Sequence, residues 1–294
     1  MVAWLTALAF VIGAAMPRVA DAGEQQRAHV SESRRGSAPR VMLDDTVQSA
    51  AVGRVMKYRV LLPEGYDGSR DRYPALYLLH GLGGDDLDWS TRTDLARLAA
   101  RLRLVIVMPD GENAWYTNAA DGGPRFEDYI ATDLVQDVER KYRVIRARYG
   151  RAIAGLSMGG YGAIKIALRH PAEFVAAGSF SGAFRATEIA YDDSLTGSLR
   201  DEIYRVYGPA GSDTRAANDV ATMASTASVA GAPVFYLDCG ASDAFLPSNR
   251  DVVAVLQKRG FTYEYHEVPG AHSWDYWNAR IAVFLPWVMR RFVS

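Results

Sequence analysis

Cysteine is almost absent from this chain of 294 residues, in which Cys239 is the single example. One thiol excludes an internal disulfide and a structural zinc site built on several cysteines. Cys239 lies within an apolar run, so we interpret it as a small buried residue rather than a reactive thiol. Any prediction of export must therefore rest on the N-terminus and not on a disulfide framework.

The chain also has little net charge, because 33 Lys and Arg residues balance 34 Asp and Glu residues to give −1. A chain without an excess of positive charge is not expected to bind nucleic acid or an anionic membrane surface. The remaining composition, with 49% hydrophobic and 23% charged residues, is typical of a globular protein. A net charge this close to zero fits small substrates that are neutral or of mixed charge best.

The apolar run at the N-terminus covers about fifteen residues, fewer than the roughly 20 that a membrane-spanning helix needs. It is followed by Ala20-Asp21-Ala22, a pattern typical of a signal-peptide cleavage site. We predict that residues 1–22 are a secretory signal, that residues 23–40 are a disordered linker, and that the mature protein is secreted or periplasmic without stable membrane insertion. The absence of Lys or Arg before the apolar run is unusual for a signal peptide, and a short membrane anchor is the alternative.

From Val41 to Pro63 the alternation of apolar and polar residues predicts an antiparallel edge hairpin that turns around Ala51–Gly53. Short, continuously apolar runs then alternate with helical patterns. The predicted strands are 75–80, 104–109, 151–156, 174–180, 233–240 and 261–268, and the predicted helices are 93–102, 127–142, 158–169, 248–259 and 275–292. Such alternation predicts one α/β domain over 41–294, with a mainly parallel sheet flanked by helices on both faces. In such a sheet, functional sites form outside the carboxyl ends of the strands.

The motif Gly155-x-Ser157-x-Gly159 lies where a predicted strand changes into a predicted helix. A serine in a strained strand-to-helix turn exposes its hydroxyl as a nucleophile, and small neighbours are needed because side chains two residues away would collide. The alternative is a serine that caps the helix. The turn would also place the Met158 N–H at a helix start, directed toward a developing oxyanion.

A serine nucleophile needs a histidine base that a carboxylate orients. His272 fits because it lies in a glycine-bearing loop between the last predicted strand and the last predicted helix. Asp243 follows the preceding strand and is favoured as the acid over Asp238, which lies within that strand. Their order in the chain is serine, acid, histidine, as expected for this kind of sheet. The Leu82 N–H, in the glycine-bearing loop after the first parallel strand, is predicted to be a second oxyanion donor.

Aromatic residues are frequent where the predicted strands end. Trp115, Tyr116 and Trp89 are predicted to contact substrate, for example a sugar or an aryl acid. For Trp274 and Trp277, three residues apart on a helix, packing of that helix onto the sheet is favoured instead. The segment 183–231 is either a lid over the site or a surface excursion, and the sequence favours neither.

The segments "HGLGGDDLDW", "MPDGENAWYTN", "GLSMGGYGA", "DCGASDAF" and "GAHSWDYW" together resemble the esterase D group of α/β-hydrolases. This group includes S-formylglutathione hydrolases, the feruloyl and acetyl-xylan esterases of carbohydrate esterase family 1, and the mycobacterial antigen 85 acyltransferases. The resemblance runs from about Leu43 to Phe292. It implies the α/β-hydrolase fold, Ser157, Asp243 and His272 in the catalytic roles, the Leu82 and Met158 amides in the oxyanion hole, and neither metal nor organic cofactor.

We therefore predict a secreted serine carboxylesterase that acts on a small-molecule or polysaccharide-linked ester, with a short-chain or aryl acyl group. Three alternatives remain: an acyltransferase of antigen 85 type, a thioesterase like S-formylglutathione hydrolase, and a secreted binding module without activity. The signal sequence is unusual for cytosolic glutathione chemistry, and the Gly159–Gly160 pair differs from the Ala-Gly that is usual in the acyltransferases.

Overall fold

The computed structural model describes residues 40–188 and 198–292. The predicted signal peptide, the predicted linker up to residue 39, and residues 189–197 of the segment 183–231 lie outside the described residues. The predictions for these segments are therefore not tested by the structure.

Eight strands form one sheet in the order β1-β2-β4-β3-β5-β6-β7-β8. They are β1 Met42–Ser49, β2 Arg54–Leu61, β3 Ala75–Leu79, β4 Val105–Pro109, β5 Arg151–Leu156, β6 Ala176–Phe180, β7 Val234–Gly240 and β8 Tyr263–Val268. Strands β1 and β2 pair antiparallel, β2 pairs antiparallel with β4, and the remaining pairs are parallel. The predicted edge hairpin and the predicted mainly parallel sheet are both confirmed.

Helices connect the parallel strands. Those before β5 are α1 Asp88–Arg92, α2 Leu95–Leu98, α3 Phe126–Asp128 and α4 Val135–Lys141, with a π-helical segment Tyr129–Leu134 between α3 and α4. Those after β5 are α5 Met158–Arg169, α6 Ser198–Tyr207, α7 Asp213–Ala217, α8 Val220–Thr226, α9 Leu246–Arg259 and α10 Trp274–Met289. A 3₁₀ turn, Arg148–Gly150, leads into β5.

Two helix predictions need correction. The helix predicted over 93–102 is present only over Leu95–Leu98, because Thr93 has an extended backbone, with φ −134° and ψ 167°, and separates α1 from α2, and because the chain turns after Leu98. The Thr93 hydroxyl donates to the Trp89 carbonyl and accepts from the Leu95 N–H at 3.2 Å, so this one residue ends α1 and begins α2. The helix predicted over 127–142 is present, but its middle is the π-helical segment, which the spacing of apolar residues does not indicate.

The core lies on both faces of the sheet. On one face, α3, α5 and α9 cover the strands with residues such as Phe126, Ile164 and Val252. On the other face, α1, α2 and α10 contribute residues such as Trp89, Leu95 and Phe284. Within the described ranges, no helix is both long and apolar enough to cross a membrane.

The described part of the segment 183–231 packs against the body of the domain. The Arg215 guanidinium is buried and donates to the carbonyls of Thr187 at 2.6 Å and Gly208 at 2.6 Å. The Tyr161 hydroxyl, on α5, donates to the Asn218 carbonyl at 2.8 Å. These contacts hold α7 and its flanks against the domain, and the two interpretations of the segment, a lid or a surface excursion, both stay predictions.

Candidate active site

Ser157 forms the turn between β5 and α5. Its backbone has φ 53° and ψ −117°, a conformation that non-glycine residues rarely adopt. A Cβ added to Gly155 would lie 2.5 Å from the backbone of Gly159, and a Cβ added to Gly159 would lie 2.5 Å from the His80 carbonyl oxygen. The two glycines of the motif are therefore required by the close approach of backbone segments, as the sequence predicts.

His272 and Asp243 reach Ser157 from the two loops that follow β8 and β7. His272 Nε2 lies 3.0 Å from Ser157 Oγ, and His272 Nδ1 lies 2.9 Å from Asp243 Oδ2. A carboxylate accepts, so Nδ1–H donates to Asp243 and Nε2 is left to accept the Ser157 hydroxyl proton. The structure thus brings together the three side chains that the sequence analysis selected.

Asp243 is held in its ionised form. Burial of the carboxyl group opposes ionisation, but the hydrogen bond and charge of His272 and the Phe245 N–H, 2.8 Å from Oδ1, keep the pKa of Asp243 below its usual range. The side chain of Asp243 is fully buried, and that of His272 is 13% exposed. A buried carboxylate of this kind stabilises a positive charge on His272.

Two aromatic rings fix the plane of the His272 ring, a role that the sequence does not indicate for either of them. Phe245 lies 4.7 Å from it and Trp277 lies 4.8 Å from it, measured between ring centroids, and both contacts are edge-to-face. Trp277 is buried and also contacts Trp274, so the predicted packing of the last helix onto the sheet is present. His272 keeps its orientation through packing as well as through hydrogen bonds.

Asp238, the alternative acid, is occupied elsewhere. It is buried and accepts hydrogen bonds from Tyr276 and from the Arg280 guanidinium, both on α10. Tyr236 also donates to it at 3.1 Å. Burial raises the pKa of Asp238, although these three donors oppose the shift. Asp238 therefore joins β7 to α10, and it is not a partner of His272.

The two backbone amides selected as oxyanion donors flank Ser157. Met158 is the first residue of α5, where N–H groups have no partner within the helix. Leu82 lies in a turn closed by the Gly84 N–H, which donates to the Gly81 carbonyl at 3.1 Å. A Cβ on Gly81 would lie 3.5 Å from the Ser157 Cβ, so this turn lies directly against Ser157.

The three aromatic residues predicted to contact substrate are all in the core. Trp115, Tyr116 and Trp89 are at most 1% exposed. Trp115 packs edge-on against Tyr161, and Trp89 packs edge-on against Phe180. Their burial argues against substrate contact, because a ligand could reach these rings only after the core had opened.

Comparison with known proteins identifies the family. The model of the putative esterase family matches residues 49–288. An acetyl esterase of Caldicellulosiruptor saccharolyticus is 28% identical over an alignment of 229 residues, which covers 76% of this chain and 86% of that protein. An esterase of Mycobacterium tuberculosis is 35% identical over 247 residues, which covers 76% of this chain but only 54% of that protein.

Solved structures agree with this assignment. Fluorophosphonate-binding serine hydrolase F of Staphylococcus aureus is 27% identical with a TM-score of 0.76, and 85% of this chain and 99% of that chain are covered. A ferulic acid esterase is 27% identical with a TM-score of 0.75, and 87% of this chain and 100% of that chain are covered. An S-formylglutathione hydrolase of S. aureus is 26% identical with a TM-score of 0.73, and 85% of this chain and 99% of that chain are covered. The resemblance to this group is thereby confirmed: the chain belongs to the putative esterase family and is a hydrolase with the α/β-hydrolase fold.

Proposed function

We propose that this protein is a secreted serine carboxylesterase that hydrolyses esters of short-chain or aryl acids through an acyl-enzyme on Ser157. The observation that carries the proposal is the continuous chain of hydrogen bonds from Ser157 through His272 to Asp243, in a member of an esterase family. Nucleophile, base and orienting carboxylate are the three groups that acyl transfer by a serine needs.

In the first step the Ser157 hydroxyl attacks the ester carbonyl carbon while His272 Nε2 takes the hydroxyl proton. The Asp243 carboxylate stabilises the resulting imidazolium through its hydrogen bond to Nδ1–H. The Leu82 and Met158 N–H groups would donate to the carbonyl oxygen as it becomes negative. The imidazolium then returns its proton to the departing alcohol, and the acyl group stays on Ser157.

In the second step water hydrolyses the acyl-enzyme. His272, again neutral, removes a proton from the water molecule as it attacks the acyl carbonyl carbon. Collapse of the second tetrahedral intermediate breaks the bond to Ser157 Oγ, which recovers the proton from His272. The acid is released, and the site returns to its starting protonation state.

The names of similar proteins support the acyl groups in this proposal, since they include an acetyl esterase and a ferulic acid esterase. Thioester hydrolysis is the second candidate, because a similar structure is an S-formylglutathione hydrolase. Thioesters and esters share the tetrahedral oxyanion, so the same groups would serve both reactions.

The test is hydrolysis of p-nitrophenyl esters from acetate to palmitate, of methyl ferulate and of a formyl thioester, by the chain from Gly23 onward. We expect the highest kcat/KM with a short-chain or feruloyl ester. Ser157→Ala should lower kcat by about 10⁶-fold, because the nucleophile of the acyl-enzyme is lost. A fluorophosphonate probe should label Ser157 in the unmodified protein, as read by peptide mass spectrometry.

The matched control is Ser228→Ala, since Ser228 is exposed and its hydroxyl contacts only the Ala230 carbonyl at 3.3 Å. This variant should keep full activity. Hydrolysis that survives Ser157→Ala, or a folded protein without either activity or labelling, would contradict the proposed function.

A further inference from the structure

His80, which follows β3 directly, is a buried histidine that the proposed mechanism does not use. It is 1% exposed. Its Nδ1 lies 2.7 Å from the Gly81 carbonyl oxygen, and its Nε2 lies 2.8 Å from the Gly111 backbone nitrogen. The ring therefore connects the turn after β3 with the loop after β4.

These two partners determine the protonation of the ring. The Gly111 N–H can only donate, so Nε2 must carry the lone pair, and the Gly81 carbonyl can only accept, so Nδ1 must carry the proton. The nearest carboxylate oxygen, Asp110 Oδ1, is 3.8 Å from Nε2, beyond hydrogen-bond distance, and it accepts from the Glu112 N–H at 2.8 Å instead. His80 is thus a neutral imidazole that donates to the Gly81 carbonyl.

The Gly81 carbonyl belongs to the same peptide unit as the Leu82 N–H. No cis peptide bond occurs within the described residues, and in a planar trans unit the C=O and N–H point in opposite directions. Holding the carbonyl toward His80 therefore turns the Leu82 N–H to the opposite side. The Gly84 N–H donates to the same carbonyl, and Gly83 has φ 76°, which is typical of a type II turn with Leu82 at its second position.

The loop after β4 supports this arrangement through Tyr116 and Asn113. The Tyr116 hydroxyl donates to the His80 carbonyl at 3.1 Å, and Asn113 Oδ1 accepts from the Gly83 N–H at 2.7 Å. A Cβ on Gly111 or on Gly162 would collide with the Tyr116 ring. Tyr116 itself has φ 48°, so tight packing holds it in an unfavourable backbone conformation. Tyr116 therefore supports the turn after β3 from within the core.

We infer that His80 is a positioning residue for the oxyanion hole: its Nδ1–H holds the Gly81–Leu82 peptide in the orientation that directs the Leu82 N–H at the reacting carbonyl oxygen. The inference rests on the proposed esterase function. It predicts that His80 acts on the transition state through one backbone amide and makes no contact with substrate.

Two substitutions separate the hydrogen bonds of the ring. In His80→Asn the carboxamide NH₂ can occupy the place of Nδ1–H and donate to the Gly81 carbonyl. In His80→Gln the carboxamide oxygen reaches the place of Nε2 and can accept from the Gly111 N–H, but the donor to Gly81 is lost. We expect kcat for p-nitrophenyl acetate to fall about 10- to 100-fold in His80→Gln with KM unchanged, less than the loss of a whole oxyanion donor because the Gly84 N–H remains. His80→Asn should keep kcat within about threefold.

Leu82→Pro tests whether His80 affects kcat through the Leu82 N–H. Proline fits the second position of a type II turn and removes the N–H of residue 82. Alone it should lower kcat by about 10²- to 10³-fold. In this background His80→Gln should cost less than about twofold more, because the amide through which His80 acts is gone.

Equal losses of kcat in the Asn and Gln variants, or a Gln effect of the same size with and without Leu82→Pro, would overturn the inference and leave His80 a packing residue. Imidazole ¹⁵N shifts of the unmodified protein give a test that needs no variant: a protonated Nδ1 and an unprotonated Nε2 support the inference, and the opposite tautomer overturns it. An unmodified protein that hydrolyses no ester would overturn the proposed function itself, and this inference with it.

Discussion

At Ser157, the hydroxyl is presented by a backbone conformation that only tight packing maintains. Gly155 and Gly159 allow the end of β5, the start of α5 and the exit of β3 to approach within contact distance. The strain at residue 157 is therefore compensated by contacts of its neighbours, and a change at either glycine is expected to move the hydroxyl.

Gly155→Ala tests this dependence. The new Cβ would meet backbone atoms of Gly159 that no rotamer change can move, so we expect a loss of about 1–3 kcal/mol in the free energy of unfolding and a lowered kcat. Gly68→Ala is the control, because the Cβ there would meet only the Gly65 carbonyl oxygen at 3.8 Å. Urea unfolding and p-nitrophenyl ester kinetics measure both effects, and wild-type values for Gly155→Ala would exclude the steric requirement.

Asp243 and Asp238 offer a comparison of two buried carboxylates five residues apart. Asp243→Asn should lower kcat by about 10⁴-fold, because an amide cannot stabilise the imidazolium of His272 in the same way. Asp238→Asn should instead weaken the bonds from Tyr276 and Arg280 and lower the midpoint of thermal unfolding, with a much smaller change in kcat. The opposite ranking of the two kcat values would show that Asp238 is the acid.

Among the elements, α3 and α5 are joined by a buried ionic cluster around Glu127. Lys165 Nζ lies 2.7 Å from Glu127 Oε2, Arg169 lies 2.9 Å from the same oxygen, and His170 Nε2 lies 2.9 Å from Oε1. Burial opposes ionisation of Glu127, but the charge of Lys165, the hydrogen bond of His170 and the charge of Arg169 lower its pKa to about 2. The cluster anchors α5, the helix that follows Ser157, to α3.

Glu127→Gln should destabilise the protein by about 3–5 kcal/mol, because it removes the counter-ion of the fully buried Lys165, whose pKa burial already lowers to about 8. Asp94→Asn is the matched control, since the Asp94–Arg97 pair is exposed and should contribute at most about 1 kcal/mol. The free energy of unfolding in urea is the measurement. Equal effects of the two substitutions would mean that the buried cluster adds no more than a surface pair.

The same cluster gives a pH dependence with a defined sign. A carboxyl group with a depressed pKa in the folded state stabilises that state above its ordinary pKa of 4.5, and this contribution is lost as the pH falls from 4.5 toward about 2. The unfolding free energy of the unmodified protein should therefore fall more steeply between about pH 5 and pH 2 than that of Glu127→Gln. Parallel curves for the two proteins would contradict the assignment to Glu127.

Sequence reasoning was strongest for elements whose burial dictates their composition. Strand β5 and helix α5 were predicted to the residue, because a strand buried on both faces must be continuously apolar and the turn between them requires glycine. It was weakest where one side chain or a loop decides the structure. Thr93 delays the start of a predicted helix through its own hydrogen bonds, and Tyr116 is buried in a loop whose positive φ angles no periodicity reveals.

For the whole molecule, the order of the strands explains why the site could be predicted in part. In a parallel sheet the loops after β3, β5, β7 and β8 meet at one edge, so position in the chain was enough to select Ser157, Asp243 and His272. Position in the chain does not show whether a residue at that edge is exposed to substrate or buried in the core. For this reason the sequence predicts substrate contact for Trp115, which lies in the core, and it gives no role to His80, although His80 directly precedes the turn that contains Leu82.

Export is a prediction at the same scale. Expression of the full chain in a bacterial host with a periplasm should yield protein outside the cytoplasm that begins at Gly23, because cleavage is expected after Ala22. Ala22→Leu should block cleavage, since signal peptidase sites require a small residue there. Mass spectrometry of the N-terminus is the measurement, and an uncleaved, cytoplasmic product of the unmodified chain would contradict the predicted signal.

The hydrogen bond between Ser157 and His272 joins residues 115 positions apart in the chain. Strands β6, β7 and β8 lie between the two residues in the chain and beyond β5 in the sheet, and we expect contacts between such distant residues to form slowly in folding. Recovery of hydrolytic activity during refolding should therefore lag behind the recovery of secondary structure. If activity lags in this way, turnover is a stricter test of complete refolding than any spectroscopic signal from the sheet.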